Sequence, residues 1–309
     1  MEVLAPTADQ LARAAARLRA GEVVAIPTET VYGLAGAAFD ERALARIFAA
    51  KDRPTFDPLI VHVLELDAPG VVGPLAPRQR AAAERLARAH WPGPLTLVLP
   101  RGPRVPDLAT AGLPTVAVRS PRHPVARALV AAVGPLAAPS ANRFGRISPT
   151  SAADVVAELG DRVELVVDGG PCAVGLESTI VAVGEDGELT LLRPGGVAVE
   201  ARPGGPEVRA PGMLPSHYAP HKPLVFLGAS APAGRVALLA FDPATAARVA
   251  AVRTEVLGLD LEAAARRLFA ALRALDACDA DVIVAEPCPS RAGLGHAIAD
   301  RLERAAHGK

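Results

Sequence analysis

The apolar positions along the chain change period repeatedly, and each change marks an element. Leu11, Ala15 and Leu18 recur at helical spacing behind Thr7, which predicts an N-capped helix that Gly21 ends, and residues 22–26 then read as a strand. Asp40 predicts a cap for a helix over 41–50. Its C-terminal end delivers Lys51 and Arg53, and Pro54 then forces the chain out of helix. Strand-like runs at 59–63, 95–99, 115–119, 136–138, 164–167, 178–183 and 188–192 alternate with helical patterns at 78–90 and 123–133 and with a helix start at Ser151. The Glu185-Asp186-Gly187 turn joins the last two strands as a hairpin. Interleaved helices and strands, with hairpin pairs among them, predict an α/β domain on a twisted mixed sheet.

From residue 202 to 223 the pattern lapses into proline and glycine, which reads as a linker. Beyond it, strands at 224–227, 236–241, 255–257 and 281–285 alternate with helices at 261–275 and 293–306, which predicts a second, smaller α/β (Rossmann-like) domain. The expected division is therefore 1–201, a linker at 202–223, and 224–309.

The 309 residues suit two domains, and half of them are apolar. No apolar run reaches the roughly 18 residues a spanning helix needs, because arginine or proline interrupts each candidate. The N-terminus has acidic Glu2 and no basic-then-apolar leader, so a cytoplasmic protein is expected. Three cysteines without CxxC spacing argue against a disulfide framework or a structural zinc site. The 33 basic and 33 acidic residues cancel, leaving no chain-wide electrostatic footprint for nucleic acid or a membrane surface. Residues 101–146 depart from that balance, with seven arginines and the single acid Asp107, a local bias that suits a small anionic ligand.

Candidate chemistry begins where the first strand breaks off into Pro27-Thr28-Glu29-Thr30-Val31-Tyr32-Gly33-Leu34. Proline stops the ladder, two threonines present hydroxyls, and Gly33 admits close backbone approach, so the stretch reads as a polar pocket wall. Neither G-x-x-x-x-G-K-[ST] nor G-x-G-x-x-G occurs, so a nucleotide would bind without those phosphate loops. Instead the chain offers Lys51, Arg53, Arg119, Ser140, Asn142, Ser178 and Arg193 at element ends, groups that hold carboxylates and phosphates. His62 inside an apolar strand reads, on its own, as a core histidine, and Cys172 as packing. His217 and Tyr218 are odder, because aromatics in a linker need a surface to cover.

Taken together, PTETVYGL (27–34), KDRP (51–54), PLIVHV (58–63), WPGPLTLVL (91–99), TVAVR (115–119), APSAN (138–142), SPT (148–150), DGG (168–170), GLESTIV (175–181), LLRPG (191–195) and HYAP (217–220) resemble the threonylcarbamoyl-AMP synthases. The likeness is to the longer form, with a YrdC-like catalytic domain and a C-terminal domain. It implies an enzyme that condenses L-threonine, bicarbonate and ATP to threonylcarbamoyl-adenylate and pyrophosphate. The product supplies the downstream threonylcarbamoyl transferase machinery that modifies position 37 of tRNA; whether this chain itself touches tRNA stays open.

The resemblance places Thr30, His62, Arg119, Ala138 and Ser178 around threonine. It places Lys51, Arg53, Asp57, Thr115, Ser140, Asn142, Ser148, Arg193 and Tyr218 around ATP, with Lys51, Arg53 and Arg119 as catalytic cations and Mg²⁺ carried on the triphosphate, no protein cage being identified. HYAP is expected to fold over the pocket as part of a lid. Two departures stand out: Asp57 puts a carboxylate where the family has an amide, and Phe144 intrudes after Ser140-Ala141-Asn142. The alternatives are an RNA-binding module without catalysis and a related enzyme handling carbamoyl-adenylate.

Overall fold

The computed structural model describes residues 1–205, 210–213, 217–228 and 234–307. Ser216 and the other linker positions 206–209 and 214–215 lie outside the described residues. The first part of the chain runs β1 (Glu2–Leu4), α1 (Ala8–Arg19), β2 (Val24–Ile26), β3 (Gly33–Ala37), α2 (Glu41–Lys51), β4 (Ile60–His62), α3 (Pro77–His90), β5 (Leu95–Pro100), α4 (Asp107–Thr110) and β6 (Thr115–Arg119). It continues through α5 (Pro124–Val133), β7 (Leu136–Ala137), α6 (Ala152–Leu159), β8 (Leu165–Val167), β9 (Thr179–Val183), β10 (Leu189–Arg193) and β11 (Arg202–Pro203). These strands form one mixed sheet of eleven, ordered β1-β8-β2-β3-β7-β4-β6-β5-β9-β10-β11. Arg202 and Pro203 thus extend the first sheet into the proline-rich stretch, pairing in parallel with β10.

Strand alternation divides this sheet into an oily face and a working face. Val61, Val63, Leu97, Leu99, Val116, Val118 and Val181 point into a core shared with Leu44 and Ile47 of α2, Leu86 of α3 and Val155 of α6. The intervening positions, Thr96, Ala117, Arg119, Ser178 and Ile180, together with Ile60 and His62, fall on the opposite face. There Ile60, Val98, Ala117, Ile180 and Leu192 are covered by Ala210 and Met213 rather than by a helix. The short α1 and α5 pack a separate core around Leu18, Ile26 and Leu129.

Caps follow the sequence closely, with one exception. Asp40 accepts from Arg42 N at 2.9 Å, and Ser151 and Asp154 form a capping box, whereas Thr7 occupies the N-cap of α1 without a side-chain hydrogen bond. The strands missed by pattern include β1 and β3; of these, β3, Gly33-Leu34-Ala35-Gly36-Ala37, is poor in strand formers. It is made a strand by β2 on one side and β7 on the other, and its smallness lets α2 approach. A Cβ at Gly36 would stand 3.2 Å from both Ala43 Cβ and Ile47 Cδ1.

The second sheet is all parallel: β12 (Leu224–Phe226), β13 (Val236–Ala240), β14 (Arg253–Val256) and β15 (Val282–Ala285) in the order β12-β15-β13-β14. Helices α7 (Pro243–Ala246), α8 (Leu261–Asp276) and α9 (Leu294–Ala306) complete it. Its core, built on Leu239, Phe269, Leu272 and Ile298, also takes in Val31, Ile147, Leu176 and Tyr218 from earlier in the chain. The two parts are therefore bound by shared apolar burial, and by Arg266 Nε donating to Ala173 O at 3.0 Å and Arg273 pairing with Glu158 at 3.3 Å. No helix among the described residues is long and apolar enough to cross a membrane.

Candidate active site

On the working face, adjacent strands bring distant residues into register. His62 lies opposite Arg119 across β4 and β6, and Ser178 ends the loop that opens β9. Backbone pairing also zips the stretch 32–34 to 139–141, with Leu34 N donating to Pro139 O at 2.7 Å and Ala141 N to Tyr32 O at 2.8 Å. The result is a narrow cavity of about 40 Å³ lined by Thr28, Thr30, Arg53, Ile60, His62, Arg119, Ala138, Ser140, Glu177, Ser178, Arg193, Pro211, Gly212, His217 and Tyr218, among others. A wider surface hollow of about 620 Å³ around Glu22, Arg46 and Arg162 contains none of the residues singled out by sequence.

Three guanidinium groups reach the cavity, each fixed by protein acceptors. Arg119 donates from Nη1 to Thr30 Oγ1 at 2.8 Å and from Nε to Gly93 O at 3.2 Å, and its Nη2 lies 2.7 Å from Glu29 Oε1. Burial alone would raise the Glu29 carboxyl, but the Arg119 charge, with hydrogen bonds from Arg119 and the Arg122 N–H, holds it below the usual carboxylate range. Arg193 grips Ser178 twice, through the carbonyl at 3.0 Å and Oγ at 3.1 Å, while Oγ also meets Thr96 Oγ1 at 2.7 Å. Arg53 donates to Pro58 O at 2.8 Å and pairs with Asp57 at 2.9 Å. Such fixed forks suit planar oxyanions without the reorganisation a mobile lysine needs.

His62 is the opposite case, a cavity residue whose ring nitrogens make no hydrogen bond of good geometry among the described residues. Burial, and then the nearby Arg119, push its pKa down to about 3, so the ring is neutral at physiological pH. Because the unfolded ring titrates near 6.5, folding loses stability as pH falls from that value toward 3, by up to about 1.4 kcal/mol per pH unit. The variant His62→Gln should therefore show a shallower fall in Tm between pH 6.5 and 4.5 than the parent; equal slopes would contradict a neutral ring.

Lys51, Asp57, Thr115, Asn142 and Ser148 do not line the cavity, for distinct reasons. The Lys51 Nζ is spent on the carbonyls of Ser140 and Asn142, bracing that loop from beneath, and burial together with Arg53 holds its pKa well below the lysine norm. Asn142 Nδ2 ties Arg143 O at 2.7 Å and Arg146 O at 2.9 Å. Ser148 donates to Glu177. Thr115 shares the working face with Arg119 but sits at the far end of β6, roughly 13 Å along the strand.

The two departures noted in the sequence find uses. Asp57 faces Arg53 as its counter-ion, desolvation raising its carboxyl while Arg53, Lys51 and Arg193 pull the other way. Phe144 packs its ring edge-on to His217, with centroids 6.0 Å apart, and so helps seat the segment that covers the cavity.

That cover consists of Pro211-Gly212 and His217-Tyr218. Tyr218, with φ of 62°, stacks on Phe269 of α8 at 5.7 Å, and burial pushes its phenol up to about 12. Sequence reasoning missed Glu29, Thr96, Glu177 and Arg301. The first three lie inside PTETVYGL, WPGPLTLVL and GLESTIV with nothing local to mark their role, whereas Arg301 left a signal: it falls on the apolar stripe of α9 with Ala297, Ile298, Leu302 and Ala305.

Comparison with known proteins gives the family. Residues 16–195 match the Sua5/YciO/YrdC family, described as telomere recombination, and 178–307 match the threonylcarbamoyl-AMP synthase C-terminal domain. Over 94% of this chain and 92% of the relative it is 40% identical to the threonylcarbamoyl-AMP synthase of Pyrococcus abyssi. To that of Bacillus subtilis it is 41% identical, over 97% of this chain and 94% of the relative. The crystal structure of P. abyssi Sua5 complexed with L-threonine superposes with a TM-score of 0.90 at 35% identity, covering all of this chain and 98% of that one. Matches to both domain models, over nearly the whole length of the relatives, place the chain in the threonylcarbamoyl-AMP synthase family.

Proposed function

We propose that the protein is an L-threonylcarbamoyladenylate synthase, joining L-threonine, bicarbonate and ATP into threonylcarbamoyl-AMP and pyrophosphate. One observation carries the assignment of residues: Thr30, Arg53, His62, Arg119, Ser140, Ser178 and Arg193, drawn from separate elements, face one enclosed space. The threonine amine attacks bicarbonate carbon, water leaves, and a carbamate forms. A carbamate oxygen then attacks the α-phosphorus, and the bond from that phosphorus to the bridging oxygen breaks as pyrophosphate departs.

The attacking group is already an anion, so the second step needs positioning and charge neutralisation more than a general base. Arg119 has three of its five N–H groups on Gly93, Thr30 and Glu29, and the rest of the fork is available for the threonine carboxylate. Ser178, held by Arg193 and Thr96, and neutral His62 offer hydroxyl and ring nitrogen to the amino acid. Arg53 and Arg193 offset charge developing on the phosphates, and Lys51 acts at one remove by fixing the Ser140 loop.

No group of three or more His, Cys, Asp or Glu able to hold a metal occurs among the described residues, and the nearby carboxylates Glu29, Asp57 and Glu177 are each paired with arginine. A Mg²⁺ ion would accordingly ride on the triphosphate oxygens, where it supplies charge neutralisation. Delivery of the product to a tRNA threonylcarbamoyl transferase in the cytoplasm belongs to the same proposal.

The cavity of about 40 Å³ is far smaller than the roughly 300 Å³ or more of ordinary ligand sites, so nucleotide entry requires the cover to move. Closing again, it would shield the labile adenylate from water. Tyr218→Ala should raise the KM for ATP about tenfold or more; an unchanged KM and turnover would show that the cover plays no part. The function itself is tested by pyrophosphate release with each substrate omitted in turn. Release is expected only when threonine, bicarbonate and ATP are all present. ATP turnover driven equally by other amino acids, or by carbamoyl phosphate, would overturn the assignment.

A further inference from the structure

Glu177 is an awkward neighbour in a site that holds oxyanions, because it lines the same cavity as Arg193. Two groups account for its charge. Ser148 donates to Oε1, and Arg301 Nε donates to Oε2 at 2.8 Å. Arg301 belongs to α9, in the second sheet's domain, and is completely buried. Its Nη1 also donates to Asp300 at 2.6 Å, and its guanidinium carbon lies 5.0 Å from the centre of the Tyr218 ring. A single side chain of the C-terminal domain therefore touches two residues of the cavity wall. A guanidinium buried in an apolar helix stripe is costly to keep: replacing a whole buried pair by hydrocarbon would often be neutral for stability, whereas removing the arginine alone strands the Glu177 carboxylate.

We propose that Arg301 is a positioning residue for ATP. By pairing with Glu177 it cancels a negative charge that would otherwise stand beside the triphosphate, so that the C-terminal domain completes the nucleotide site. The inference rests on the ATP-dependent reaction proposed above. It explains why the short loop through Glu177 and Ser178 carries an acid beside a site for oxyanions: the acid is the socket into which the second domain docks its arginine.

The test is a charge rescue read in steady-state pyrophosphate release. Arg301→Met should raise the KM for ATP at least tenfold and leave the KM for threonine within about threefold. Adding Glu177→Gln to that variant should return the KM for ATP to within about threefold of the parent, since the offending charge is then gone although the arginine is still missing. An arginine that served only as packing would leave the double variant as impaired as the single one, and that result would overturn the inference, as would a KM for threonine rising as far as that for ATP. Should Arg301→Met fail to fold, Arg301→Lys decides. A KM for ATP within about threefold supports charge cancellation, and a tenfold rise overturns it. A parent protein with no threonine- and bicarbonate-dependent release would refute the functional reading itself; an active parent with an unrescued double variant refutes this inference alone.

Discussion

Arg119→Ala is expected to lower threonine-dependent pyrophosphate release by at least about a hundredfold, because it removes the fork proposed to hold the amino-acid carboxylate in the cavity. The residue is also a structural hub. Its loss strips Thr30 Oγ1 of a donor and leaves Glu29, 5% exposed, without the cation that keeps it ionised. Breaking a buried pair from one side costs about 3–5 kcal/mol, so part of any loss could be unfolding. The double variant Glu29→Gln/Arg119→Ala separates the two effects, since it removes the stranded charge. Its Tm should recover toward that of the parent while turnover stays low. Arg119→Lys, with charge but no fork, should lose about tenfold or more. A folded Arg119→Ala protein with full turnover would remove Arg119 from the threonine site.

The second large effect is expected at a position with no chemistry of its own. Gly175 has φ of +76°, and a Cβ there would stand 2.5 Å from Arg266 Cα and 2.7 Å from Arg266 O, both backbone atoms of α8. Neither can yield as a side chain would. Gly175→Ala should therefore push the second domain off the first, adding overpacking of about 1–3 kcal/mol to a left-handed strain of about 1–2 kcal/mol. Undocking would withdraw Arg301 from Glu177 and Phe269 from Tyr218, so turnover should fall more than about tenfold and the chain should become more sensitive to protease. The control is Gly112→Ala, at φ of +75° with open space around it, which should cost only about 1 kcal/mol and spare activity. Equal behaviour of the two variants would mean that close docking at Gly175 does not matter.

These effects also mark where the sequence stops being readable. Helices such as α2 and α8 declare themselves through apolar spacing and an aspartate cap, and strands such as β6 through branched residues, because those signals are local. The strand Gly33–Ala37 is silent, since its reason for existing is the pairing on both sides and the need for α2 to come close. The cavity was legible as a set of residue types at element ends. Thr30, Arg53, Arg119, Ser140 and Ser178 do share it, Arg119 through alternation along β6 and the other four through the loops that adjoin β2, α2, β7 and β9. What spacing cannot convey is which cation a given acid will meet. Glu29 finds Arg119 ninety residues on, Glu177 finds Arg301 in another domain, and Lys51 turns inward to carbonyls rather than outward to phosphate.

The mass of the nucleotide product formed from ¹³C-bicarbonate tests the central claim most directly, because only a shared site can join all three substrates in one molecule. The account predicts an adenylate carrying both threonine and the labelled carbon, heavier by about one mass unit than the product made with ordinary bicarbonate. An adenylate lacking either threonine or the label would contradict it.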